Sequence, residues 1–214
     1  MDKQPVVLVN GKAYQRACGS SSVSLARACE EFGAWISVQA ADIYRVSSQT
    51  NAVVWAQHVD PVSYGSNTGA VVPEVVKEAG AVGTLINHAE KQLSLEDIQS
   101  VIARCKEVGL RTMVCASSLH EAEKIAVFEP EFIALELPEL IGGDVSIVSA
   151  DASLIQDAVS ALGSNVLVGA GVQSGADLTR SLELGARGVL LASAVAKKAA
   201  SPRDALAELY SGLT

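Results

Sequence analysis

Residues 82–109 read VGTLINHAEKQLSLEDIQSVIARCKEVG, and this stretch holds one complete structural unit. It opens on a continuous apolar run, Val82–Asn87, of strand length. A run that is apolar throughout, rather than at every second position, is how a strand reads when both faces are buried in a parallel sheet. A polar loop follows. Ser94, with Asp97 three residues later, predicts a capping-box helix start. Leu95, Ile98, Val101, Ile102, Cys105 and Val108 then form one apolar stripe at helical spacing, and Gly109 is the stop signal.

The same unit recurs on both sides. Further strand-like runs are Val6–Asn10, Trp35–Gln39, Ala52–Gln57, Arg111–Ala116, Phe132–Glu136, Asn165–Ala170 and Gly188–Ser193. Helical patterns cover Ser22–Phe32, Pro73–Ala79, Leu119–Phe128 and Ala152–Leu162, while Asp42–Gln49 is only a turn or two. Ser174 with Asp177 repeats the capping signal before a helix that Gly185 ends. Ser201-Pro202 starts a last helix with Leu206, Leu209, Tyr210 and Leu213 on its buried face. Eight strand-then-helix units, uninterrupted by any linker, predict a single α/β domain over residues 1–214. Alternating strands and helices fit an open doubly wound sheet or a closed barrel. Eight regular units favour the parallel eight-stranded (β/α)8 barrel. The turn after the first strand, Asn10-Gly11-Lys12-Ala13-Tyr14, also lacks the G-x-G-x-x-G pattern of a dinucleotide-binding sheet.

Composition narrows the function classes. At 49% hydrophobic and 19% charged, the 214-residue chain can bury a core and is not disordered. A net charge of -8 and 4% aromatics exclude a general nucleic-acid-binding face, while leaving room for a local pocket that takes a small anion. Cys18, Cys29, Cys105 and Cys115 have neither metal-ligand nor disulfide spacing and are expected to be reduced thiols, the last three in the core. The most apolar stretch, Gly188–Ala196, is too short to span a bilayer, and no export signal precedes the first strand. A soluble, cytoplasmic protein is expected, with no membrane partner.

In a barrel of this kind, chemistry is built at the C-terminal strand ends. There the chain carries Asn10 and Lys12, then Gln57, His58 and Asp60, then Asn87, His88 and Glu90, and then Glu136. Glu136 is the strongest single residue: a carboxylate straight after Phe132-Ile133-Ala134-Leu135 is expensive to bury without a purpose, and burial raises its pKa toward that of a useful base. Lys12 reads equally well as a surface lysine, and His88 more readily as functional than as a core histidine. Gly169-Ala170-Gly171 and Ala192-Ser193 are loops where backbone N–H groups can hold a phosphate. His58 and Asp60 lack a third ligand, so no metal is expected, and His120 should face solvent.

In order along the chain, Asn10-x-Lys12, Ala56-Gln57-His58-Val59-Asp60, Thr68-Gly69, Asn87-His88-x-Glu90, Glu136-x-Pro138-Glu139-Leu140-Ile141-Gly142, Gly169-Ala170-Gly171 and Gly188-Val189-Leu190-Leu191-Ala192-Ser193 resemble the triosephosphate isomerases of the short archaeal type. The resemblance covers essentially the whole chain and implies a TIM barrel. It implies interconversion of dihydroxyacetone phosphate and glyceraldehyde 3-phosphate, without cofactor or metal. By position, Glu136 would be the base, His88 the electrophile, Lys12 the cation beside the developing negative charge, and Glu90 the group that orients Lys12. Asn10 and Lys12 would hold the substrate, and Ile141, Gly142, Gly171, Ala192 and Ser193 the phosphate. Leu137–Ser149 would be a lid. Thr68 would lie at a subunit interface, which implies a homodimer or homotetramer.

Four positions depart from the family's habit. Gly11 stands where a bulky apolar residue is usual, Ala89 for Ser, Leu137 for Pro and Ala194 for Gly. None deletes a proposed chemical group, so they bear on rate more than on reaction. Two other readings stay open at this stage: a different phosphate-binding barrel lyase or synthase, and a non-catalytic phosphate-binding paralogue.

Overall fold

A computed structural model describes residues 4–137, 140 and 146–213, apart from the side chain of residue 198. Eight parallel strands close into a barrel in sequence order, and β1 (Val6–Asn10) pairs with both β2 (Trp35–Val38) and β8 (Gly188–Leu191). Between these lie β3 (Val53–Ala56), β4 (Gly83–Ile86), β5 (Arg111–Ala116), β6 (Phe132–Leu135) and β7 (Val166–Val168). The helices outside are α1 (Ser20–Phe32), α2 (Ile43–Ser47), α3 (Pro73–Glu78), α4 (Leu95–Val108), α5 (Leu119–Ala126), α6 (Ile147–Ala150), α7 (Ala152–Leu162), α8 (Gly175–Glu183) and α9 (Pro202–Ser211).

The continuous apolar runs have a simple cause. Successive strand residues point to opposite faces, and both faces are covered. Val7, Val9, Ile36, Val38, Val54, Val114 and Leu135 pack outward under the helices. Val6, Leu8, Trp55, Leu85, Met113, Phe132, Ala134, Leu167 and Leu190 fill the barrel itself. At the N-terminal end, Trp35 stacks on Trp55 at 5.3 Å, Phe132 meets Trp35 edge-on, and the Arg111 guanidinium lies 4.5 Å from the Trp35 ring. Glu131 holds Arg111 through a pair of hydrogen bonds of 2.8 and 2.9 Å. That end of the barrel is plugged.

Several expected strands end one or two residues early. Gln39, Gln57, Asn87, Glu136, Ala170 and Ser193 all follow the last residue of their strands. They sit at the C-terminal rim, where the chain leaves the sheet for its loops.

The helix signals act as local chemistry predicts, with two differences. Ser94 Oγ accepts the N–H of Asp97 at 3.1 Å and Gly109 closes α4 at φ 72°, but the Asp97 carboxylate accepts from the Ser94 hydroxyl rather than from its backbone. The reciprocal capping box forms at Ser174 and Asp177. Leu206 and Leu209 are buried as expected, but Leu213 is exposed, because α9 ends at Ser211 before its apolar stripe reaches residue 213. Among the described residues no helix is long and apolar enough to cross a membrane, and all four cysteines are free thiols.

Candidate active site

The inward positions continue past the strand ends. On β1, Val6 and Leu8 face the barrel interior, and Asn10 is next in that series. On β3 the series runs from Trp55 to Gln57, on β6 from Phe132 and Ala134 to Glu136, on β7 from Leu167 to Gly169 and on β8 from Leu190 to Ala192. Period-two alternation thus carries polar groups onto the open top of the core.

At β1, the buried Asn10 accepts the N–H of Lys12 through Oδ1 at 2.9 Å. Lys12 stands at φ +48°, a left-handed conformation that side chains resist. Its carbonyl accepts from Gln57 Nε2 at 3.0 Å and from Gln39 Nε2 at 3.3 Å, which hold the strained turn. Gly11 helps here too: a Cβ on it would come within 3.1 Å of both Ala17 Cβ and the Ser37 carbonyl oxygen. The Lys12 ammonium donates to Glu90 Oε1 at 2.8 Å, with the lysine side chain only 9% exposed.

At β4, Asn87 also adopts a left-handed conformation, φ +60°. Its amide donates to the Cys115 carbonyl at 3.0 Å and to Glu121 Oε1 at 3.1 Å, and its oxygen accepts the N–H of Leu93 at 2.9 Å. That turn delivers His88 to the cleft, buried. The His88 pKa is lowered, first by burial and then by the Lys12 ammonium, against a smaller opposing pull from Glu90. The ring is neutral around pH 7.

Glu136 follows β6 and is 4% exposed. Burial lifts its pKa to about 7, and the thiol of Cys115 and the charge of Lys12 pull the other way. Its Oε1 lies 3.7 Å from His88 Nε2, and its Oε2 is buried without a hydrogen-bond partner. A carboxylate with one oxygen unsatisfied is more basic than one held by donors.

Asn10, Lys12, His88, Glu136, Gly171, Ala192 and Ser193 line one cleft of about 440 Å³ at the top of the barrel. Its far wall is backbone-rich, from Gly169 and Gly171 after β7 to Ala192 and Ser193, where a π-helical turn (Ser193–Lys198) begins. Glu90 lies on a neighbouring cavity of about 770 Å³ that shares Lys12, Asn10 and His88 with the cleft. Thr68 is not part of the cleft; it sits exposed in the long loop between β3 and α3. Asp60 closes the root of that loop by accepting the N–H of Val71 at 2.7 Å, and it pairs with His58 at 3.0 Å. Ile141 and Gly142 lie outside the described residues, as does most of the expected lid. The lid's last residues, from Ile147, form α6, with Ile147 and Val148 buried.

Two contributors, Cys115 and Gln39, are absent from the candidates read from sequence, and Asn87 is among them without a role. Cys115, read as an inert core thiol, is buried, and its thiol draws the Glu136 pKa downward. Gln39 and Asn87 shape the two strained turns. For Cys115 the signal was parity with Met113, since both face the barrel interior.

A neutral imidazole, a carboxylate poised near pH 7 and a fixed ammonium are the groups that proton transfer beside a carbonyl requires. The family model for triosephosphate isomerase matches residues 5–209. The chain belongs to the triosephosphate isomerase family. Within that family, the triosephosphate isomerase of Methanosarcina acetivorans is 43% identical over 216 residues, covering 96% of this chain and 97% of its own. That of Saccharolobus solfataricus is 38% identical over 205 residues, covering 91% and 90%. Among solved structures, triosephosphate isomerase from Bartonella henselae superposes with a TM-score of 0.71 over 97% of this chain and 99% of that one, at 20% identity. That likeness concerns the shared barrel.

Proposed function

We propose that this chain interconverts dihydroxyacetone phosphate and D-glyceraldehyde 3-phosphate. The observation that carries the reading is the convergence of Lys12, His88 and Glu136 in one cleft, with the carboxyl buried and its pKa raised to about 7. Glu136 removes the C1 proton of the ketose, and the electron pair moves through the new C1–C2 double bond to the C2 oxygen. His88 donates its Nε2 proton to that oxygen, and Lys12 stabilises the negative charge as it develops. Glu136 then returns its proton to C2 as the proton on the C1 oxygen passes back to His88, which leaves an aldehyde at C1. Phosphate is held by N–H groups around Gly171, Ala192 and Ser193, and the family resemblance implies the same task for Ile141 and Gly142. Asn10 and Glu90 hold Lys12 from its two ends. No step calls for a cofactor or a metal.

The same proposal includes one barrel domain over the whole chain, a cytoplasmic location and a homodimer or homotetramer. The exposed loop bearing Tyr64 and Thr68, and the cavity of about 770 Å³ beside Lys12, support a second copy as the partner. A coupled assay with glyceraldehyde 3-phosphate tests the activity. Glu136→Asp should lower kcat far more than it changes KM, and unchanged turnover in that variant removes Glu136 as the base.

A further inference from the structure

Gly169 is a glycine that its own backbone does not demand. Gly171, two residues on, sits at φ +69°, where a side chain would be strained, but Gly169 is not among the glycines with positive φ. The requirement at 169 is one of space. Leu167 points into the barrel, and Gly169, two residues further along β7's direction, faces the same way beside the end of β6. A Cβ at 169 would stand 2.4 Å from Glu136 Cγ, 3.2 Å from its Cδ and 3.2 Å from the Leu135 carbonyl oxygen. Apolar carbon atoms pack at about 3.5–4.0 Å, so the first of these contacts cannot exist.

Neither strand can easily withdraw. The Gly169 N–H donates to the Leu135 carbonyl at 2.9 Å, and the Glu136 N–H donates to the Ala116 carbonyl at 2.9 Å. These bonds lock β7 to β6 and β6 to β5 at the rim. A methyl group at 169 can be accommodated only if the Glu136 side chain moves.

We infer that Gly169 is a positioning residue for Glu136: its missing side chain is the slot in which the stem of the carboxylate lies, turned into the cleft and away from water. This deepens the reading above and rests on Glu136 as the base. In the slot the carboxyl meets the Cys115 thiol from β5, the His88 ring and the Glu90 charge from the loop after β4, and the Lys12 ammonium from the loop after β1. Pushed out of it, the carboxyl gains water and loses its place beside His88.

Gly169→Ala is the test, made both in the native chain and in Glu136→Ala. In the native background it should lower Tm by about 5 °C, the effect of overpacking one methyl group. In the Glu136→Ala background the collision partner is gone, and the same substitution should leave Tm nearly unchanged. Equal losses in the two backgrounds overturn the inference, since the glycine would then serve the backbone. If Gly169→Ala alone fails to fold, recovery of a folded protein by adding Glu136→Ala supports the slot, and continued failure overturns it. Folded Gly169→Ala should also lose about 100-fold in kcat with KM within twofold, as expected for a displaced reacting group. The acid limb of its kcat/KM profile should move from near pH 7 down toward the ordinary carboxylate range. Native kcat and an unmoved profile overturn the inference. Retained activity in Glu136→Ala would instead defeat the assignment of the base, and the two Tm values would still report on the slot.

Discussion

His88 and Glu90 are joined through the backbone as well as through charge: the N–H of Glu90 donates to His88 Nδ1 at 3.1 Å, while Glu90 Oε2 stands 3.8 Å from the same nitrogen. A ring nitrogen that accepts a hydrogen bond carries no proton, so the neutral ring keeps its proton on Nε2. That is the nitrogen 3.7 Å from Glu136 Oε1, facing the cleft. Nitrogen NMR should therefore show His88 neutral at pH 7.5 and protonated on Nε2. An imidazolium signal at that pH would contradict the assignment. His88→Gln should lower kcat by about 10²–10⁴-fold, the usual worth of a positioned acid.

Glu136 links stability to pH. Its folded pKa of about 7 lies above its ordinary value near 4.5, so the folded state holds the proton more tightly. Stability from this group is fully present below pH 4.5 and is lost as pH rises through 7. The difference is worth about 3 kcal/mol at 1.36 kcal/mol per pKa unit. Glu136→Gln should thus be more stable than the native chain at pH 8, by a few kcal/mol, and close to it at pH 5. Urea unfolding at the two pH values measures this, and an equal difference at both would contradict it. In the native enzyme, kcat/KM should fall with unit slope below about pH 7.

Gln57 bears on activity without touching the reacting atoms, since it donates to the carbonyl of the strained Lys12 turn at 3.0 Å. Gln57→Ala should cost about 1 kcal/mol in stability for the lost hydrogen bond. It should also cost about tenfold in kcat/KM as Lys12 shifts, by the sensitivity of such groups to small misplacements. Steady-state kinetics beside a denaturation curve separate the two effects, and native kinetics in this variant would mean that the turn holds without the clamp.

Trp55 closes the barrel floor. It is fully buried, stacks on Trp35 at 5.3 Å and packs against Phe132. Trp55→Ala should lose about 3–5 kcal/mol, the cost of a large aromatic cavity. At a permissive temperature KM should stay near native, because the cleft lies at the opposite end. A stability within 1 kcal/mol of native would mean that the plug collapses without penalty.

The readings that needed only neighbouring residues succeeded where the physics is local. Strands covered on both faces must be apolar throughout, so eight buried runs were visible as runs. Ser94, Ser174 and Ser201 each accept an N–H three residues ahead, a contact within one turn of chain that residue type alone decides. Glu136 stood out for a related reason: an ionisable group at the end of an apolar strand is costly wherever that strand goes. Where the charge and hydrogen bonds of the site come together was another matter. Cys115 meets Glu136 only because β5 and β6 pair with Cys115 opposite Ala134, and nothing in either segment states that register. Gln39 and Gln57 reach one carbonyl because β1, β2 and β3 are adjacent in the closed barrel. Glycine at 169 reads as a flexible turn until β7 lies against β6, and then its absent side chain becomes the room that Glu136 occupies. Short-range sterics and burial write themselves into residue order. The pKa of a base and the fit of a slot depend on which strands become neighbours, and barrel closure settles that.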